Sequence, residues 1–111
     1  MISTSINLWT APSIDDLARW GAVWYGDRLL HRPWRDLAMA PATRVDEPNV
    51  AFYGFGWRLE GDLQWHSGES IGFRDVLLRW PAQRFTVVVQ SNRNAPEPFA
   101  LAQRIAALFK P

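Results

Sequence analysis

Apolar positions along this chain follow two rhythms. Ile14, Leu17, Gly21 and Trp24 recur three or four residues apart, the spacing of one helix face. Ser13-Ile14-Asp15-Asp16 stands ahead of them in the form of a capping box, an acidic residue three after a serine. The pattern predicts a helix from about Ser13 to Tyr25, ended by Gly26-Asp27. Leu101, Ile105 and Leu108, with Ala102 and Ala106 beside them, predict a closing helix from about Pro96 to Phe109. Glu97 near its start and Lys110 at its end complement the helix dipole. A shorter helix opens at Pro33-Trp34-Arg35-Asp36-Leu37, with proline in its first turn.

The middle of the chain changes to a period of two. From Ala51 to Leu59, Ala51, Tyr53, Phe55, Trp57 and Leu59 share one face of a strand, and Phe52, Gly54, Gly56 and Arg58 the other. Two glycines on one face imply that something packs very close to it. Glu60-Gly61-Asp62 supplies a turn, and Leu63 to Ser67 is the returning strand. Ile71 to Trp80 and Phe85 to Ser91 form the next pair, joined through Pro81-Ala82-Gln83 as an antiparallel hairpin. The run Val87-Val88-Val89 suits a strand covered on both faces. Pro41 to Pro48 reads as loop. The expected fold is therefore α+β: an antiparallel sheet of about four strands with an N-terminal and a C-terminal helix packed on it, one domain over residues 1–111.

Composition narrows the function. Of the 111 residues 48% are apolar and 21% charged, an ordinary globular balance with enough apolar surface for a core. The net charge is +1 with both signs interspersed, which predicts neither a nucleic-acid nor a membrane partner. Cysteine is absent, so thiolate chemistry and disulfides are excluded. His31 and His66 lack ligand-like spacing, so no metal and no cofactor are expected. The carboxylates are scattered and form no acid/base pair. Gly54-x-Gly56 lies inside a strand with no helix after it, and so fails as a phosphate loop. Arg74, Arg79 and Arg84 around the hairpin read as a solvated face. The N-terminus has no basic and apolar leader pattern, and no apolar run nears the ~18 residues of a membrane span. As it stands the chain reads as cytoplasmic, with the compartment left open. Seven tryptophans allow two readings: a tryptophan-rich core, or a surface that a partner covers.

Several blocks in order carry a resemblance. Tyr53-Gly54-Phe55-Gly56-Trp57, His66-Ser67-Gly68, Ile71-Gly72-Phe73, Val87-Val88-Val89 and Ser91-Asn92-Arg93 resemble the C-terminal third of β-lactamase-related serine hydrolases. That group includes class C β-lactamases, penicillin-binding-protein-like peptidases and family VIII esterases. Asp15-Asp16-Leu17-Ala18-Arg19-Trp20 is similar to a helix earlier in the same region. The resemblance implies a five-stranded antiparallel sheet beside a helical domain, and acyl transfer through a serine acyl-enzyme. Three motifs serve that reaction: Ser-x-x-Lys, Tyr-x-Asn, and a Lys/His-Thr/Ser-Gly triad on a strand.

Only the third is here, as His66-Ser67-Gly68. No serine has a lysine three residues later, and the chain's single lysine is Lys110. Neither Tyr25 nor Tyr53 has asparagine two residues on. By the resemblance, His66 lends positive or hydrogen-bonding character near substrate, Ser67 bonds a substrate carboxylate or carbonyl, and Gly68 lets substrate lie against the strand. The backbone N–H of Glu69 is one oxyanion-hole donor, the other belonging to the missing nucleophile. Glu69 departs from the small or polar residue common there, and its carboxylate would repel developing negative charge unless it points away.

His66 and Ser67 cannot easily form a dyad. Consecutive strand side chains point to opposite faces, and a base must come within about 3 Å of its proton. His66 taken alone is a partly buried histidine satisfied by a backbone carbonyl. The expected function is a C-terminal fragment, inactive alone for want of a nucleophile. Two alternatives stand beside it. One is a non-catalytic module that self-associates through an uncovered sheet edge, as a homodimer. The other is a piece completed in trans, by the missing N-terminal part of the parent or another chain supplying Ser-x-x-Lys.

Overall fold

The hairpin built around the valine run is the centre of the molecule. The computed structural model describes residues 13–41, 43–70, 73–93 and 97–111. Six strands form one antiparallel sheet in chain order: β1 Thr43–Glu47, β2 Val50–Tyr53, β3 Arg58–Glu60, β4 Leu63–Ser70, β5 Phe73–Trp80 and β6 Phe85–Ser91. From β4 to β6 the register runs without a bulge, from Gln64↔Arg79 to Ser70↔Phe73 and from Arg74↔Ser91 to Trp80↔Phe85.

Period-two alternation then feeds two cores. Val76, Leu78 and Trp80 of β5 join Val87 of β6, Trp65 of β4 and Phe99, Ala102 and Ala106 of α3 (Pro98–Phe109) on one face. Leu77 turns to the other face, where Leu17 and Trp24 follow from α1 (Ile14–Val23), beside Trp57 and Leu59. Both faces of the hairpin are covered, as its continuous apolar run predicts. Burial of each such side chain contributes about 1.5–3 kcal/mol, so this ladder anchors both helices.

The helix starts follow the sequence. Ser13 caps α1: the Asp16 N–H donates to Ser13 Oγ at 3.1 Å, and the Ser13 N–H donates to Asp16 Oδ2 at 3.4 Å. The short α2 (Arg32–Ala38) carries proline in its first turn. Arg35 ties it down, donating to the Leu30 and Trp24 carbonyls and pairing with Asp27 at 2.7 Å. No helix of the described residues is long and apolar enough to cross a membrane.

The sheet is wider than the four strands expected, for two local reasons. The polar stretch after Pro41 holds β1, whose residues are mostly exposed and show no apolar alternation. Its turn into β2 is Pro48-Asn49, with Asn49 at φ 66, the left-handed position that asparagine tolerates. The run 51–59 is also not one strand. The Gly54 N–H donates to the Trp57 carbonyl at 2.8 Å, and Gly56 takes φ 83, so the chain reverses there. Tyr53 and Phe55 are consequently exposed while Trp57 and Leu59 are buried, and the shared face expected for them does not exist. The close approach expected at the glycines is real at Gly54: a Cβ there would lie 2.3 Å from the Ala38 carbonyl oxygen at the end of α2.

Four tryptophans, Trp24, Trp57, Trp65 and Trp80, are core residues, and Trp20 is half-buried. Trp34 is 61% exposed on α2, and Trp9 lies outside the described residues. The expectation of a solvated arginine face fails at Arg79, which is 2% exposed. Alternation places it on the α1 face, where its guanidinium lies 4.5 Å from the Tyr25 ring and 5.8 Å from that of Trp57, and hydrogen-bonds Gln64. Arg84 stacks on Tyr25 as well, at 4.1 Å, and Arg74 pairs with Glu97 at 2.7 Å. Arginine's apolar stem and flat cation make that burial tolerable.

Replacing Gly54 by alanine drives a methyl group into the Ala38 carbonyl. Gly54→Ala should cost about 1–3 kcal/mol, as overpacking does, whereas Gly26→Ala, with nothing within 4 Å, should change little. Urea unfolding of the two variants measures the difference, and equal midpoints would refute it.

Candidate functional site

Alternation along β4 decides which motif residues meet. His66 and Gly68 stand opposite Leu77 and Asp75 of β5, on the α1 face. Ser67 stands opposite Val76, on the α3 face. There the Ser67 Oγ accepts a hydrogen bond from Arg58 Nη1 at 3.2 Å, and the same guanidinium lies 4.9 Å from the Trp65 ring. The strand therefore separates His66 from Ser67, and no dyad exists.

On the α1 face His66, Gly68, Asp75, Val76 and Leu77 meet Leu17 and Trp20 around a small cleft. Its free volume is about 30 Å³, room for roughly two waters at ~15 Å³ each. A substrate the size of a lactam or ester does not fit it. The room left by the absent side chain of Gly68 is already used. A Cβ there would lie 2.7 Å from Asp75 Oδ1, so the carboxylate rests against the glycine.

Electrostatics in the cleft oppose a cation. Burial, helped by the charge of Arg58 across the strand, pushes the His66 pKa down to about 4. His66 is thus neutral at physiological pH and does not supply the positive charge that its motif position implies. It has no hydrogen bond among the described residues, so the backbone carbonyl expected for it is not found. Its ring instead ends a series of edge-to-face contacts, Trp20–Trp24 at 5.6 Å, Trp24–Trp57 at 5.7 Å and Trp57–His66 at 6.5 Å. Asp75 is pushed up by burial, which the Gly68 backbone N–H partly offsets. Asp75 escaped the sequence reading, although an acid inside so apolar a strand was its available signal.

The edge of β4 can be assigned from its turn. Glu60 and Leu63 pair across Gly61-Asp62, with Gly61 at φ 56. Such a turn aims the Leu63 N–H at the Glu60 carbonyl. Leu63, Trp65, Ser67 and Glu69 therefore direct their backbone groups toward β3, and Gln64, His66 and Gly68 toward β5. Pairing with β3 stops at Arg58↔Trp65. Among the described residues no strand continues along that side, so the Glu69 N–H sits on an open edge. The direction of the Glu69 side chain lies outside what is described.

The described fold is thus an antiparallel sheet with a helix on each face and a His-Ser-Gly strand beside a small cleft. Residues 9–110 match the family model described as Beta-lactamase, and the chain belongs to that family. Penicillin-binding protein 4* of Bacillus subtilis (strain 168) is 29% identical over 83 residues, covering 70% of this chain. The chain spans 18% of that protein's length.

His66 gives a pH signature. The unfolded chain protonates it near 6.5, the folded chain only near 4. Between those values the unfolded state binds the extra proton, so stability falls as pH drops through that window. The loss should reach roughly 2–3 kcal/mol after allowance for partial exposure. Asp75 acts with the opposite sign, since its folded pKa lies above the ordinary value and acid favours the folded form. His66→Gln should flatten the decline in urea unfolding, and NMR titration of the His66 ring should give a midpoint far below 6.5. A midpoint at the ordinary histidine value would sink this account.

Proposed function

We propose that this chain is a C-terminal segment of a β-lactamase-family enzyme, one domain over residues 1–111, that builds one wall of an acyl-transfer cleft and does not hydrolyse by itself. One observation carries the reading: among the described residues no hydroxyl lines the cleft beside the motif strand, and the motif serine, Ser67, is held by Arg58 on the opposite face. The sequence supports it, since no serine is followed three residues on by lysine. In an assembled site the open edge of β4 offers the Glu69 N–H as one oxyanion donor, and the attacking serine's own N–H is the other. His66 contributes hydrogen bonding as a neutral imidazole, and Gly68 keeps the strand surface low. The nucleophile comes from the preceding part of a longer parent, or in trans from a chain carrying Ser-x-x-Lys. Full activity, and the choice of lactam, peptide or ester, belong to that whole.

Purified chain should turn over neither a chromogenic cephalosporin nor a p-nitrophenyl ester, and a fluorophosphonate should leave its intact mass unchanged. Turnover that disappears on replacing any one of its serines by alanine would overturn the proposal.

A further inference from the structure

The cleft under α1 has one sign of charge. Asp75 is the acidic side chain lining it, and among the described residues no lysine or arginine does. Arg58 is the cation nearest in effect, since its charge reaches His66 through the strand. Its guanidinium, however, lies on the other face, bound to Ser67 and stacked over Trp65. Water screens charges poorly in so small a space, so the carboxylate sets the field there.

Acceptors outnumber donors in the same place. The Asp75 carboxylate lies beside Gly68, with Oδ1 2.7 Å from where a Cβ of that residue would stand. His66 is held neutral by burial first and by Arg58 second, so one of its ring nitrogens carries a lone pair. The ring makes no hydrogen bond among the described residues. Trp20 keeps its indole N–H buried and adds no accessible donor. An anion entering the cleft would meet a like charge and the single N–H of a neutral imidazole. A cation with N–H donors would meet a carboxylate and a lone pair.

Size and lining choose among cations. A free volume of about 30 Å³ holds a water-sized group, which excludes a guanidinium or a quaternary ammonium. An –NH3+ head is a compact point charge with three donors. Leu17 and Leu77 flank the cleft, so the first carbons of an alkyl stem would meet apolar side chains. A divalent metal would find one carboxylate and one imidazole, and no group of three or more metal-ligating side chains exists among the described residues.

We propose that the cleft of His66, Gly68 and Asp75 under α1 is a site for a primary ammonium group on an alkyl stem. Only its purpose rests on reading β4 as the wall of an acyl-transfer cleft. Two sources carry such a group there: the amine of an acyl substrate, and the lysine of a Ser-x-x-Lys sequence supplied by the rest of the enzyme. A substrate carboxylate is disfavoured at this point of the strand.

Ethylammonium chloride is the probe. Titrated into the 15N-labelled chain near neutral pH at constant ionic strength, it should move the His66 ring and Gly68 amide signals saturably, with a Kd in the millimolar range. Sodium acetate should not, nor should tetramethylammonium, which has the charge without the donors. Asp75→Asn, close to aspartate in size, should weaken binding about tenfold or more with the circular dichroism spectrum unchanged. An acetyl-Ser-Ala-Ala-Lys-amide peptide separates the sources. Tighter binding than ethylammonium assigns the site to the lysine of a completing chain, and binding no tighter assigns it to a substrate amine. No saturable shift with ethylammonium overturns the proposal, as does an equal response to acetate or tetramethylammonium, and neither comparison needs a variant. Undiminished binding by Asp75→Asn overturns it too. Fluorophosphonate labelling reports the nucleophile and this titration reports the cleft, so each can fail without the other.

Discussion

Twenty-two residues of β4, β5 and β6, paired without interruption, fix where everything else can go. Because the register never slips from Gln64↔Arg79 to Trp80↔Phe85, each side chain is assigned to one face by its place in the alternation. One face receives α3 and the other α1, and both become core. A shift of one residue anywhere in this ladder would bring Arg79 among the side chains packed under α3 and move Val76 and Leu78 out of them. The same rule that fills the cores places the functional motif. It sends His66 and Gly68 one way and Ser67 the other, whatever their chemistry might gain from proximity.

Two ionisable groups under α1 show how much polar character that face accepts. Arg79 is almost fully buried, yet it meets Gln64, Tyr25 and Trp57 rather than a carboxylate. Burial lowers its pKa, but a guanidinium starts so high that it keeps its charge. His66, two residues before Gly68 on the same strand face, starts near 6.5, so a comparable environment is enough to leave it neutral. The identical pressure thus produces a permanent cation at one position and an uncharged ring at the other. A lysine at this position would bring a charge into the cleft, with Asp75 as the acidic group lining it.

Period and capping made much of the fold legible from sequence. The Ser13 cap, the proline start of α2, the valine run of β6 and the closing helix each depend on neighbours a few residues away, and local physics is what a sequence displays. β1 was hidden because its side chains are mostly in water, so pairing, not pattern, makes it a strand. The reversal at Gly54–Trp57 was hidden because its cause lies sixteen positions upstream, in the Ala38 carbonyl that only a glycine can approach. Among site residues, the separation of His66 from Ser67 follows from strand geometry alone. The carboxylate of Asp75 against Gly68 and the loss of charge on His66 depend on what α1 and β5 bring from elsewhere.

Among the described residues the sheet's edges have different characters. Beyond Trp65, the β4 side facing β3 is open beside a cleft, with Ser67 already engaged through Arg58. β1 is guarded by charge and by an irregular register. β6 has neither defence, while both of its faces are covered and its pairing with β5 has no bulge. An apolar strand without charge or bulge is the kind of outer strand that natural sheets usually protect. Among the described residues β1 and β6 are thus the two outer strands, one polar and irregular, the other apolar and regular.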